Sequence, residues 1–185
     1  FLNRFRAMAY LPPLSDREAL NIGSDLHSYY MVVNDDPIAH HEEKDNPHYA
    51  DAGNQAAMNG NLFATSQLEA NYIWSINFWV SAPFHLISML DPTLEMVGYG
   101  IHNEAVGETQ MAAVLDIDSY PGGSADDIEY PIMFPGNGSE TWVVRHSLYE
   151  WPFPLGNCPG YTTPTGPPIV LLLGDGSRTP NVASH

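Results

Sequence analysis

At 185 residues the chain is long enough for one domain with a full core, and its 22 acidic against 6 basic side chains leave a formal net charge of -16. A surface of that sign repels phosphate backbones and anionic lipid headgroups, which excludes nucleic acid as a partner and makes cations the natural small ones. The lone Cys158 removes internal disulfides and cysteine-built zinc cages from consideration, and no apolar run approaches the roughly 20 residues of a transmembrane helix.

The chain opens on Phe1 rather than Met, which implies that a leader or upstream region is missing. Residues 1–14 start as a short helical turn and run into the extended Leu11-Pro12-Pro13-Leu14. Ser15 and Glu18 have capping-box spacing, and Ala19, Ile22, Leu26, Tyr29 or Tyr30, and Val33 recur every three to four residues, predicting a helix over 16–33. Asn34-Asp35-Asp36-Pro37 ends it, and the dense run His40-His41-Glu42-Glu43 follows. A short helix is expected over 51–58, closed by Asn59-Gly60-Asn61. Ser66 with Glu69 then opens the central helix, over 66–82. Along it Ala70, Ile73, Trp74, Asn77 and Ser81 keep helical spacing, while Ile76, Phe78, Trp79 and Val80 widen the apolar surface. Pro83 breaks this helix, and His85 follows directly on a short apolar turn over 84–90.

Strands are expected at 97–102, 111–118, 129–134, 142–144 and 169–173, with a polar loop over 121–127. The proline- and glycine-rich stretch 150–168 reads as an ordered loop, with Trp151, Phe153 and Tyr161 as its apolar anchors. The tail after Gly174 reads as cut short, with more chain to follow a buried-looking strand. Helices dominate up to about residue 92 and strands afterwards, which predicts an α+β fold with helices laid on an antiparallel sheet.

Three groups offer chemistry: His40 with His41, Glu42 with Glu43, and His85. Two imidazoles from distant segments plus a carboxylate are a donor set for zinc or another divalent ion. The same residues also suit a plainer arrangement, in which a buried His85 bonds a backbone carbonyl and 40–44 is a solvated turn. A serine hydrolase has less behind it, because there is no G-x-S-x-G elbow and Ser81 and Ser88 sit in no nucleophile context. Asp116 and Asp118 suggest calcium, without the glycine and spacing of an EF-hand loop. Asn137-Gly138-Ser139 fits a glycosylation sequon.

Five short motifs in order carry a family resemblance. Trp79-Val80-Ser81-Ala82-Pro83-Phe84-His85 resembles the W-x-x-S-P-G-H signature of bacterial members of the CAP superfamily, the cysteine-rich secretory, antigen 5 and pathogenesis-related domains. It continues as Met89-Leu90-Asp91-Pro92 and Val97-Gly98-Tyr99-Gly100, similar to I-L-x-P and V-G-x-G. Upstream, Asn3 to Arg6 and Leu11 to Leu14 resemble N-x-x-R and L-P-P-L, and His40-His41-Glu42 resembles an H-S-E element, which favours His40 over His41. Asn59-Gly60-Asn61-Leu62 stands where many members have G-E-N, so Gly60 replaces a cavity glutamate. The G-H-Y-T-Q element and the disulfides of eukaryotic members have no counterpart.

The resemblance implies a three-layer α-β-α sandwich, a core over 1–118, and a segment 119–185 that completes the sheet or leads into a further module. It also implies a metal-capable cavity at His40 and His85. Glu42 is the nearby residue able to replace the lost carboxylate, with His41 as the alternate imidazole. The functional expectation is a secreted bacterial domain that binds a ligand or partner without turnover, holding either a divalent cation (zinc or calcium) or no cofactor. Its partner is an unidentified small molecule or protein, a second copy, or an adjacent domain. Two alternatives come from other classes: a metal-dependent hydrolase, for which no general base has a clear position, and a structural subunit of an extracellular assembly.

Overall fold

The computed structural model describes residues 1–120, 122–124, 128–145, 150–177, 179 and 181. The helices are α1 Leu2–Met8, α2 Glu18–Val33, α3 Asp51–Asn59, α4 Tyr72–Ser81 and α5 Pro83–Met89. The strands are β1 Ser15–Asp16, β2 Gly60–Thr65, β3 Met96–Asn103, β4 Met111–Asp116, β5 Ile132–Phe134 and β6 Val170–Leu172.

Alternation along β4 sets the layering. Every residue of that strand is buried, but Met111, Ala113 and Leu115 join one apolar cluster while Ala112 and Val114 join another. Successive side chains point to opposite faces, so the sheet is covered on both sides. The first face meets Phe5 of α1, Ile76 and Trp79 of α4, and Leu86 and Met89 of α5. The second meets Met31 and Val32 of α2 and Ala56 of α3. The result is the expected α+β three-layer α-β-α sandwich.

The sheet runs β1-β3-β4-β2, with β1 parallel to β3 and the other pairs antiparallel. Gly98 and Gly100 of β3 let α2 approach closely. A Cβ on Gly98 would overlap Leu20, and one on Gly100 would overlap the backbone of Ser24 and Asp25. The V-G-x-G motif is therefore a packing requirement.

The upstream motifs are likewise structural. Asn3 donates from Nδ2 to Leu14 O at 3.0 Å and accepts from Leu14 N at 2.8 Å, pinning the end of Leu-Pro-Pro-Leu to α1. Arg6 is wholly buried, and its guanidinium donates to Pro12 O, Met89 O and Asp91 O, each at 2.9 Å. Burial pushes its pKa down to about 10, opposed by nearby Asp91, so it is still a cation at neutral pH. A cation set on the last carbonyls of α5 suits the negative end of that helix.

Several boundaries differ from expectation. Helix α2 starts at Glu18, because Ser15 N and Arg17 N bond to Glu95 O and Val97 O of the neighbouring strand, which holds Ser15 extended and leaves its capping box unformed. Helix α4 starts at Tyr72, not 66. Asn71 is its cap, accepting from Ile73 N at 2.9 Å, and Ser66 and Glu69 lie in the preceding loop. The chain does not turn at the expected Asn59-Gly60-Asn61 but runs straight on as an edge strand over 60–65, whose Gly60 pairs with Asp116 and Thr65 with Met111. The turn over 84–90 is helical, since Pro83 at its first position has a preset φ and needs no N–H partner. Residues 142–144 form no strand; Trp142 instead packs on Phe5, with ring centroids 4.8 Å apart. Strand β4 stops at Asp116, where Asp116 Oδ1 accepts from Ser119 N and turns the chain. Much of the loop expected over 121–127 lies outside the described residues.

Strands β5 and β6 form a separate two-stranded ribbon rather than joining the main sheet. Ile132, Phe134 and Val170 enter the first cluster, while the paired Met133 and Leu171 face outward. The anchors expected for 150–168 are not anchors: Trp151, Phe153 and Tyr161 are all exposed.

Tyr99 supplies a pH-dependent contribution. Its hydroxyl lies 3.0 Å from Ser75 Oγ at the wall of an apolar cavity of about 880 Å³. Burial pushes the phenol up to about 12, helped by Asp25 and opposed by the Ser75 hydrogen bond. The unfolded phenol ionises near 10, so the folded state keeps a proton that the unfolded state has released. Stability should therefore fall by about 2 kcal/mol as pH rises from about 10 to 12. Denaturant midpoints of wild type and Tyr99→Phe across that range check this, because the variant should lack that part of the decline.

Candidate functional site

A cavity of about 680 Å³ lies between α4 and the edge strand β2. Trp74 and Phe78 of α4 form one wall, and Leu62 to Thr65 of β2 form the other. The cavity is closed in by His85 of α5, by Ile38 and His40 from the loop after Pro37, and by Trp151. The two histidines expected to share a cleft do line the same one.

Each imidazole has one nitrogen engaged. His40 Nδ1 lies 2.9 Å from the carbonyl oxygen of Ala57, which can only accept, so Nδ1 carries the proton. His85 Nδ1 lies 2.8 Å from Glu150 Oε1, and the same oxygen accepts from His85 N at 2.8 Å. In both rings that leaves Nε2 as the nitrogen with an unused lone pair. Glu150 Oε2 is buried and has no hydrogen-bond partner among the described residues.

The other expected site residues lie elsewhere. His41 is on the surface, 2.9 Å from Glu43 Oε1, with both side chains about two-thirds exposed. Glu42 is buried behind the cavity loop, with Oε1 2.9 Å from His27 Nδ1 and Oε2 accepting from Ala50 N at 2.8 Å. Gly60 has no room for the glutamate of G-E-N, since a Cβ there would sit 2.6 Å from Ala56 O and 2.9 Å from Val114 Cγ1. Among the described residues no group of three or more His, Cys, Asp or Glu side chains is arranged to hold a metal ion, Asp116 and Asp118 included. Glu150 is absent from the sequence expectations, and no local signal marks it.

The model of the CAP, cysteine-rich secretory protein family matches residues 1–114. The chain belongs to that family. No curated protein and no solved structure gave a match. The match spans both histidines but ends before Trp151, which lines the same cavity, and before Glu150, which holds His85. No helix among the described residues is long and apolar enough to cross a membrane.

Proposed function

We propose that this CAP domain is a secreted binding module, and that its ligand occupies the His40/His85 cavity without being turned over. The observation that carries the reading is the composition of that cavity. Its walls are mostly aliphatic and aromatic, its volume suits a small organic molecule, and its two imidazoles each offer an Nε2 with no partner among the described residues. Such a site takes a ligand with an apolar body and either a hydrogen-bond donor or a divalent cation at one end.

Zinc-class ions are bound by imidazole nitrogens of this kind, and His40 and His85 are the residues that would hold one. With two protein nitrogens, the remaining positions would fall to water or to the ligand's own donor atoms. A hydrolytic reading has less support. Ser88, three residues after His85, has its Oγ proton spent on the backbone: it donates to His85 O at 2.7 Å. That hydroxyl proton is directed at a carbonyl oxygen and not at an imidazole that could act as its base.

Calorimetric titration with zinc at about pH 7.5 and about pH 5.5, either side of the ordinary histidine range near 6.5, tests the cation part. Protons compete with metal for imidazole, so binding should weaken at the lower pH and disappear in the His40→Ala, His85→Ala double variant. Equal binding by wild type and double variant would place the ion at surface carboxylates.

A further inference from the structure

We infer that Glu150 is a positioning residue for the binding site, directing His85 Nε2 at a cationic ligand. The inference rests on the reading of the His40/His85 cavity as the binding site and adds a residue that the family region does not contain.

Three observations support it. First, the Glu150 side chain has no solvent exposure, although Trp151 beside it is 90% exposed, so this one carboxylate is drawn into the fold from a surface segment. Second, Oε1 takes both the ring N–H and the backbone N–H of His85, each at 2.8 Å. Holding the proton on Nδ1 fixes the tautomer, which makes Nε2 the basic nitrogen, and a carboxylate behind an imidazole raises its strength as a ligand. Third, Oε2 is buried and has no hydrogen-bond partner among the described residues. A carboxylate placed so favours positive charge at the other end of His85.

Glu150 also has a structural role, because His85 is the third residue of α5 and that helix has no side-chain cap of its own. The test must therefore read something a cap alone would not move. The substitution Glu150→Gln keeps an oxygen for both His85 N–H groups and removes only the charge. Glu150→Ala removes both.

The neutral ring's tautomer is read by long-range ¹H–¹⁵N NMR, and zinc affinity by calorimetry on the same proteins, with circular dichroism confirming that each is folded. The expected pattern is the Nδ1–H tautomer at His85 in wild type and Glu150→Gln, and a shift towards Nε2–H in Glu150→Ala. Zinc affinity should fall at least about tenfold in Glu150→Gln. A tautomer unchanged in folded Glu150→Ala, or zinc affinity unchanged in Glu150→Gln, overturns the inference. Zinc binding missing from wild type itself overturns the cation reading of the cavity, and with it the direction of His85 at a cation; the tautomer then reports only the hydrogen bond.

Discussion

Replacing Trp79 by alanine should cost about 3–5 kcal/mol of stability, the usual range for emptying a large aromatic core site. The ring is completely buried in the cluster between α4 and the sheet, edge-on to Tyr99 at 6.5 Å between centroids. Its Nε1 donates to Leu62 O at 2.9 Å, so the variant also strands a buried carbonyl on β2. Trp79→Phe retains most of the volume and loses only that bond, and should cost about 1–3 kcal/mol. Urea midpoints for the three proteins separate the terms. A loss below about 1 kcal/mol for the alanine variant would mean that the ring is not a core element. The same bond ties α4 to the strand that walls the cavity, so the tryptophan of the W-x-x-S-P motif holds the site together from behind.

How much of this is legible in the sequence depends on the range of the interaction. The α+β class, the break at Pro83 and the strands around Val97 and Met111 come from local periodicity and proline geometry, and the structure has them. The errors fall where tertiary contacts override a local signal. Ser15 and Glu18 have the spacing of a capping box, but β3 recruits the backbone at Ser15. Leu62-Phe63-Ala64 is too short and too near a helix to announce a strand, and it is one because β4 offers it a partner. Trp74 has the spacing of the buried stripe and is 46% exposed; the helix starts at Tyr72, and its buried face is Ser75, Ile76, Trp79 and Val80.

The site divides the same way. His40 and His85 stand out through motifs, and the fold brings them to one cavity. Because position 60 lacks a carboxylate, the sequence points to the one two residues beyond His40, Glu42. In space the acid beside His85 is Glu150, from the proline-rich segment far downstream. No periodicity or spacing encodes a contact of that separation, and only the assembled fold reveals it.

Glu42 leads to the second large effect. Both of its oxygens are used inside the fold, by His27 at 2.9 Å and by Ala50 N at 2.8 Å, and a Cβ on Gly53 would collide with the carboxylate. His27 Nε2 in turn lies 2.7 Å from Ala39 O. That geometry is satisfied with one proton on Nε2 for the carbonyl and one shared between Nδ1 and Glu42. Removing one partner of a completely buried pair leaves the other uncompensated, so Glu42→Ala should cost about 3–5 kcal/mol. Glu42 also fixes the loop that carries His40 two residues away, which gives a rigid anchor to one side of the cavity.

Denaturation in the presence of a chelator distinguishes this role from that of a metal ligand. A carboxylate that ligates an ion stabilises only the loaded protein, whereas the His27 pair stabilises the chain by itself. The full loss should therefore appear with EDTA present. In a cycle with His27→Ala, the double variant should lose clearly less than the two single losses added together. A loss that disappears in EDTA would return Glu42 to the cavity as a ligand, and additive single losses would mean that the buried pair is not coupled.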